Sequence, residues 1–133
     1  MTTMHSAIIT LGSNLPCRAD ILRDTIARLR AVVTVEASSG IYDADDDTGR
    51  GPVYANEVLA VATSLPMEAM AQYARGLEAA AGRTAESKAM ALMPLDIDIV
   101  VWDDTIVKPY DITRHYFTRG YAAIRNAIKH SVI

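Results

Sequence analysis

Residues 95–102 read LDIDIVVW, and this stretch is the clearest strand signal in the chain. Side chains alternate along a strand, so Asp96 and Asp98 are predicted to point to one face and the apolar residues beside them to the other. Their Cα atoms are then about 7 Å apart, because each strand residue advances the chain by about 3.3 Å. Two carboxylates at this spacing can bind one or two hard cations. The alternative is a strand with one solvated face, but Asp is depleted in strands and like charges repel.

The segments around this strand predict a ferredoxin-like fold. Three upstream runs have the composition of strands, and two others have apolar residues at helical spacing. The strand runs are residues 7–11, 32–41 and 54–63, and the helical runs are residues 19–29 and 66–82. Residues 110–130 are predicted to be a helical tail with a break near Gly120. The order β-α-β-β-α-β is typical of an α+β fold in which an antiparallel sheet carries both helices on one face.

Two segments have neither pattern and are predicted to be irregular. Residues 42–52 read YDADDDTGRGP, which is acidic, rich in Gly and Asp and without an apolar anchor, so we expect a mobile loop. Residues 84–93 form the second irregular stretch.

Length and charge narrow the classes of function. The 133 residues suit one domain, which we place at residues 1–133. The formal net charge is −3, and no cluster of Lys and Arg indicates a nucleic-acid partner. A polyanion such as ATP would therefore need a metal to supply much of the positive charge. No signal peptide or membrane-spanning segment is recognisable, so we expect a cytoplasmic protein without a membrane partner; its oligomeric state is not predicted.

Two shorter motifs are compatible with ligand binding. Residues 12–14 read GSN after the first strand, which is also typical of an ordinary turn. Tyr54 and Asn56 open the third strand and lie on the same face of it. An aromatic ring beside an amide suits a flat heterocycle that is stacked and hydrogen-bonded, although the pair alone is more often a strand start.

The motifs taken in order resemble a known enzyme family. They are LGSN at 11–14, SSxxY at 38–42, YAN at 54–56, EAAAGR at 78–83 and LDIDIVVW at 95–102. This series is similar to the 6-hydroxymethyl-7,8-dihydropterin pyrophosphokinases of folate biosynthesis, over residues 7–107. The resemblance implies transfer of pyrophosphate from ATP to the hydroxymethyl group of the pterin, with release of AMP. It also implies Mg²⁺, two ions, as cofactor, and ATP and a pterin as the binding partners.

The resemblance assigns roles to individual residues. Asp96 and Asp98 would be the metal ligands, and Tyr54 and Asn56 would line the pterin pocket. The nucleotide side would include Glu78, Arg83 and Ile99, with Arg83 facing phosphate and Ile99 acting through backbone groups.

Several positions depart from the family pattern. Leu92 and Met93 stand where the family has Pro-Arg, and that arginine faces ATP. The first loop carries acidic residues instead of Thr-Pro-Pro, and Tyr110 replaces the histidine of a Pro-His pair. The candidates to replace the missing cation are Lys88, Arg114 and Arg119, with Lys108 less favoured. His115, beside Arg114, could replace the missing histidine, and an exposed helix histidine is the equal alternative. Two alternatives therefore stay open: a relative that binds nucleotide or pterin without turnover, and a ferredoxin-like regulatory or interaction module.

Overall fold

The structure is a computed structural model that describes residues 3–45, 49–128 and 133. Its strands are β1 His5–Ser13, β2 Thr34–Ser38, β3 Tyr42–Ala44, β4 Tyr54–Thr63, β5 Asp96–Trp102 and β6 Thr105–Ile106. Its α-helices are α1 Arg18–Leu29, α2 Met67–Ala80, α3 Ala85–Ala89 and α4 His115–Ile124. Short 3₁₀ turns precede and follow α4.

All six strands belong to one antiparallel sheet, in which five of them follow the order β2-β4-β1-β5-β6. The short strand β3 pairs with the first residues of β4, beyond the point where β2 ends, so these two strands share one edge of β4. Strands β1 and β4 at the centre are each flanked on both sides, and helices connect β1 to β2 and β4 to β5. This arrangement confirms the predicted ferredoxin-like fold.

Helices α1 and α2 cover one face of the sheet. Leu22 of α1 and Met70 of α2 are completely buried against the apolar side chains of Ile9, Leu11 and Leu59. The apolar residues of β5 between and after the two aspartates join the same core, as their alternation predicts. The side chains of Asp96 and Asp98 therefore face the other side of the sheet.

The C-terminal helix α4 packs on that other side. Its buried residue Phe117 contacts a second apolar cluster, to which β1 contributes Ile8, β4 contributes Val58 and β5 contributes Val100. The tail thus covers one end of the sheet face and leaves the end with the aspartates accessible. The packing of α4 against the sheet, more than any motif in its sequence, makes this helix one wall of the candidate site beside the aspartates.

The two segments that were predicted to be irregular both contain regular structure. The segment predicted to be a loop from residue 42 begins with a strand, because Tyr42 and Ala44 pair with Asn56 and Tyr54 at the free edge of β4. The rest of that prediction includes residues 46–48, which lie outside the described residues. The irregular stretch 84–93 contains the short helix α3.

Asn14 of the GSN motif holds the end of this stretch in place. Its side-chain oxygen accepts the Met93 backbone N–H at 2.7 Å, and its side-chain nitrogen donates to the Ala91 carbonyl at 3.0 Å. Its own backbone N–H donates to the Met93 carbonyl at 3.0 Å. These three hydrogen bonds tie the segment before β5 to the end of β1, so GSN has a structural function here.

The tail was predicted to break near Gly120, and this is wrong, since α4 continues through that residue. The glycine is needed for close packing. A Cβ atom at position 120 would lie 2.5 Å from Val58 Cγ2 and 2.6 Å from the Tyr42 hydroxyl oxygen. Both distances are far below a van der Waals contact, so the absence of a side chain allows α4 to approach β3 and β4.

We therefore expect Gly120→Ala to lower the free energy of unfolding by about 1–3 kcal/mol, the usual cost of overpacking a buried contact. Gly76 offers a matched control, because it lies in the exposed middle of α2 and a Cβ there meets nothing within 4 Å. Gly76→Ala should raise stability by about 0.5–1 kcal/mol through the better helix propensity of alanine. Urea unfolding of both variants measures these changes, and equal stabilisation by both would contradict the close packing of α4.

Candidate active site

Strand pairing places the predicted site residues in register. On β1, Gly12 pairs with Asn56 of β4 on one side and with Asp96 of β5 on the other. Two residues earlier, Thr10 pairs with Asp98. Neighbouring strands are about 4.8 Å apart, so the backbones at Asn56 and Asp96, two strands apart, are separated by roughly 10 Å with Gly12 between them.

These side chains border a cavity of about 430 Å³, here called the central cavity. It contains all four residues predicted for the metal and the pterin. The residues that line it are Thr10, Leu11, Gly12, Asp45, Tyr54, Asn56, Glu57, Asp96, Asp98, Tyr110 and Tyr116. One side of the cavity therefore carries an aromatic ring and an amide, and the other side carries two carboxylates. A reaction between two ligands requires such a shared cavity.

Gly12 keeps the floor of the central cavity open. A Cβ at this position would lie 3.6 Å from the side-chain oxygen of Asn56 and 3.7 Å from the Tyr54 ring, at ordinary contact distance. Any larger side chain would extend into the space between the amide and the carboxylates. The side-chain nitrogen of Asn56 donates to the Tyr54 carbonyl at 3.2 Å, which helps to orient the amide.

The two aspartates carry an unfavourable concentration of negative charge. Burial, followed by the charge of Asp96, raises the pKa of Asp98 from 3.8 to about 7. Two cations partly compensate: Arg83 Nη1 lies 3.1 Å from Asp96, and Lys108 Nζ lies 3.8 Å from Asp98. The pair would be further stabilised by a divalent cation, because positive charge close to both carboxylates favours their ionised forms.

Glu78 and Arg83 form a bracket behind Asp96. Glu78 is buried, and its carboxylate accepts the Ile97 backbone N–H at 2.9 Å and the Arg83 guanidinium at 2.7 Å. The same guanidinium nitrogen contacts Asp96 and, at 3.4 Å, the Leu95 carbonyl. These contacts join the end of α2 to the start of β5 and orient the first aspartate. Arg83, predicted to face phosphate, is thus engaged with two carboxylates in this structure.

A second cavity of about 430 Å³, here called the side cavity, lies on the other side of this bracket. Its walls contain Glu78, Arg83 and Lys88 of the predicted nucleotide side, together with Met93. Ile99 lines neither cavity, since its side chain belongs to the core beneath α1 and α2.

The two tail arginines contact other parts of the protein. The guanidinium of Arg114 stacks 3.8 Å from the centre of the Tyr110 ring. Arg119 donates to the Asp43 carbonyl at 3.1 Å and lies over the Tyr42 ring at 5.0 Å. In this structure Arg114 therefore packs on a ring that lines the central cavity, whereas Arg119 contacts β3 residues that are not among the lining residues.

Side chains and backbone groups of α1 and α4 hold the segment 42–45 in place. The Asp43 carboxylate pairs with Arg18 of α1 through two hydrogen bonds of 3.1 and 3.2 Å, and Arg18 lowers the pKa of Asp43. His115 of α4 donates to the Asp45 carbonyl at 2.8 Å. The Tyr42 hydroxyl, whose pKa burial raises to about 12, donates to the Tyr116 carbonyl.

Sequence reasoning missed several wall residues. Tyr110 and Tyr116 line the central cavity, and Arg75 lines the side cavity. The sequence did contain a signal for Tyr110, because this residue follows Pro109 at the position where the family has histidine. It contained no signal for Tyr116 or Arg75. Their positions depend on how α4 and α2 meet the sheet.

The fold and the site define a class: a ferredoxin-like domain with two carboxylates and an aromatic cavity on one sheet face. Residues 8–126 match the sequence profile of the family described as 7,8-dihydro-6-hydroxymethylpterin-pyrophosphokinase (HPPK), so the chain belongs to this family of pyrophosphokinases. No single curated protein matches the sequence significantly. Among the described residues, no helix has the length and apolar character to cross a membrane.

The raised pKa of Asp98 predicts a pH dependence of stability. Between about pH 4 and 7 the folded state keeps a proton on Asp98 that the unfolded state has lost, so stability falls as pH rises and levels off above 7. Asp98→Asn removes this slope. Because the side chain is 29% exposed, water screens part of the repulsion, and we expect the variant to be more stable at pH 8 by about 1–2 kcal/mol.

The measurement is urea unfolding in EDTA at pH 5 and pH 8, with Asp104→Asn at the exposed β5–β6 turn as control. The gain of Asp98→Asn should shrink at pH 5, whereas the control should change little at either pH. A gain that is the same at both pH values would contradict the assignment of this titration to Asp98.

Proposed function

We propose that this protein transfers the pyrophosphoryl group of ATP to the hydroxymethyl group of 6-hydroxymethyl-7,8-dihydropterin, a step of folate biosynthesis in the cytoplasm. The hydroxymethyl oxygen forms a bond to the β-phosphorus, the bond from that phosphorus to the α-phosphate oxygen breaks, and AMP leaves. The hydroxymethyl proton is released to solvent. Membership of the pyrophosphokinase family supports this reaction class.

One observation carries the proposal: Tyr54 and Asn56 share the central cavity with Asp96 and Asp98. A flat ring that stacks near the tyrosine and hydrogen-bonds to the amide has its substituent within reach of the carboxylate end. The volume of about 430 Å³ suits a small bicyclic ring together with part of a triphosphate. Positioning two reactants in this way can supply a large share of the rate acceleration.

The carboxylates fit Mg²⁺. Magnesium is usually bound by one or two protein carboxylates and completes its octahedron with water and substrate phosphate oxygens. Within residues 3–45, 49–128 and 133, no cluster of three or more acidic, His or Cys side chains is placed to hold a metal. Asp96 and Asp98, supplemented by phosphate oxygens, would therefore hold the two ions that we propose. When bound, these ions supply charge neutralisation of the triphosphate.

The protein's own groups bind and orient the reactants. Glu78 and Arg83 orient Asp96 from behind, and Lys88 lies on the side cavity from which we propose that the nucleotide approaches. The aromatic rings of Tyr54, Tyr110 and Tyr116 exclude water from the pterin. Catalysis of phosphoryl transfer is mostly positioning and charge stabilisation, so this set needs no covalent participant.

The test of the proposal is AMP formation in a mixture of the protein, ATP, Mg²⁺ and 6-hydroxymethyl-7,8-dihydropterin. We expect AMP to appear only when the pterin is present, and Asp96→Ala and Asp98→Ala to lose Mg²⁺-dependent ATP binding while remaining folded. Asp104→Ala serves as the control for removal of an acidic side chain elsewhere. Parental affinity for Mg-ATP in both site variants would refute the metal assignment.

The pterin side is tested by Asn56→Ala. We expect pterin affinity to fall by about 1–3 kcal/mol, because the variant leaves a polar edge of the bound ring unpaired. Fluorescence titration of the pterin measures the change. Asn126→Ala, on the exposed C-terminal turn, should bind the pterin as the parent does. Equal affinities of the two variants would count against the pocket.

A second candidate is a relative that binds the ligands without turnover. The observation that favours it is that Met93 brings no cation to the side cavity, while Arg83 is already engaged with two carboxylates. This candidate predicts Mg-ATP and pterin binding with no AMP above the background rate. The AMP assay above therefore separates the two functions.

A further inference from the structure

The side cavity contains an excess of positive charge, and one of its cations, Arg75, has no role among those described so far. Three cations line it, Arg75, Arg83 and Lys88, and its one acidic side chain is Glu78. Glu78 is buried, and Arg83 and a backbone N–H of β5 satisfy it. The remaining two cations have no carboxylate in this cavity to neutralise them.

Arg75 and Arg83 differ in the partners of their guanidinium groups. Arg83 is held between two carboxylates at 2.7 and 3.1 Å, so its guanidinium is already committed. Arg75 is exposed, and throughout the described chain no hydrogen bond or ion pair engages its side chain. A free guanidinium presents a fork of donors that matches phosphate oxygens, and charge-assisted hydrogen bonds are the strongest polar contacts available to it.

The position of Arg75 is fixed by the helix. It precedes Glu78 by three residues and Ala79 by four on α2, so all three lie on the helical face that lines the side cavity. Met93 and Leu92 also line this cavity, and neither of them brings a positive charge to it. The bracket of Glu78 and Arg83 links this cavity directly to Asp96. One side chain, Arg83, therefore both lines the side cavity and contacts the first carboxylate.

We propose that Arg75 binds a phosphate group of the nucleotide, and thereby supplies from α2 the positive charge that Met93 does not supply. This inference rests on the proposed function, because it takes ATP as the ligand. It assigns the nucleotide to the side cavity and the reacting pterin to the central cavity, with the aspartates between them.

Calorimetric titration of the full chain tests this assignment, with Mg-ATP, inorganic triphosphate and adenosine as probes. We expect Arg75→Ala to bind Mg-ATP and triphosphate at least tenfold more weakly than the parent, and Arg75→Lys to be intermediate. Adenosine affinity should be the same in parent and variant, because the contact is to phosphate. Arg30→Ala, an exposed arginine at the end of α1, is the matched control and should bind all probes as the parent does.

The outcomes separate this inference from the proposed function. If the parent binds Mg-ATP and Arg75→Ala binds it within twofold, Arg75 is a solvated surface arginine and the inference alone is overturned. If Arg75→Ala weakens adenosine as much as ATP, the guanidinium contacts the base, and the phosphate assignment is overturned. If the parent itself binds no Mg-ATP, the proposed function fails and this inference fails with it.

Discussion

The pairing of β1 with both of its neighbours is the constraint on which the site depends. Gly12 stands between Asn56 and Asp96 in one row of the sheet, and Thr10 lies beside Asp98 in the row above it. A slip of one residue in either pairing would turn the aspartates or the amide into the core beneath α1 and α2. The apolar alternation of the three strands prevents this slip, since it would expose Leu11 and Ile97 and bury charge.

The negative charge of the carboxylate pair has to be compensated by the surrounding structure. Two acidic groups on a half-buried strand repel each other, and the protein places Arg83 beside one and Lys108 beside the other. The arrangement is asymmetric: Asp96 is held by a bracket that is partly buried, whereas Asp98 has a longer contact to a half-exposed lysine. Burial and the neighbouring charge raise the pKa of Asp98, so a cation placed beside it would favour its ionised form.

One departure from the family pattern, the acidic first loop, lies where the tail meets β3. An acidic side chain in place of a proline gives Arg18 a carboxylate partner in Asp43, while Arg119 donates to the backbone carbonyl of the same residue and Tyr42 links the strand to α4. These contacts shape the wall of the central cavity from residues distant in sequence. The two tail arginines are thus engaged by Tyr110 and by β3, whereas Lys88 and Arg75 lie on the side cavity.

The sequence by itself determined the order of elements, the face on which Asp96 and Asp98 lie, and the proximity of Tyr54 to Asn56, because each follows from local periodicity. Ordered motifs also identified the family. Only the tertiary structure decided which cation meets which carboxylate, that the tail packs opposite the first two helices, and that α4 runs unbroken through Gly120. Those outcomes join residues that are far apart in the sequence, such as Asp43 and Arg119 with a separation of 76 positions, and depend on the fit of α4 against the sheet. Local patterns carry no information about contacts at that separation.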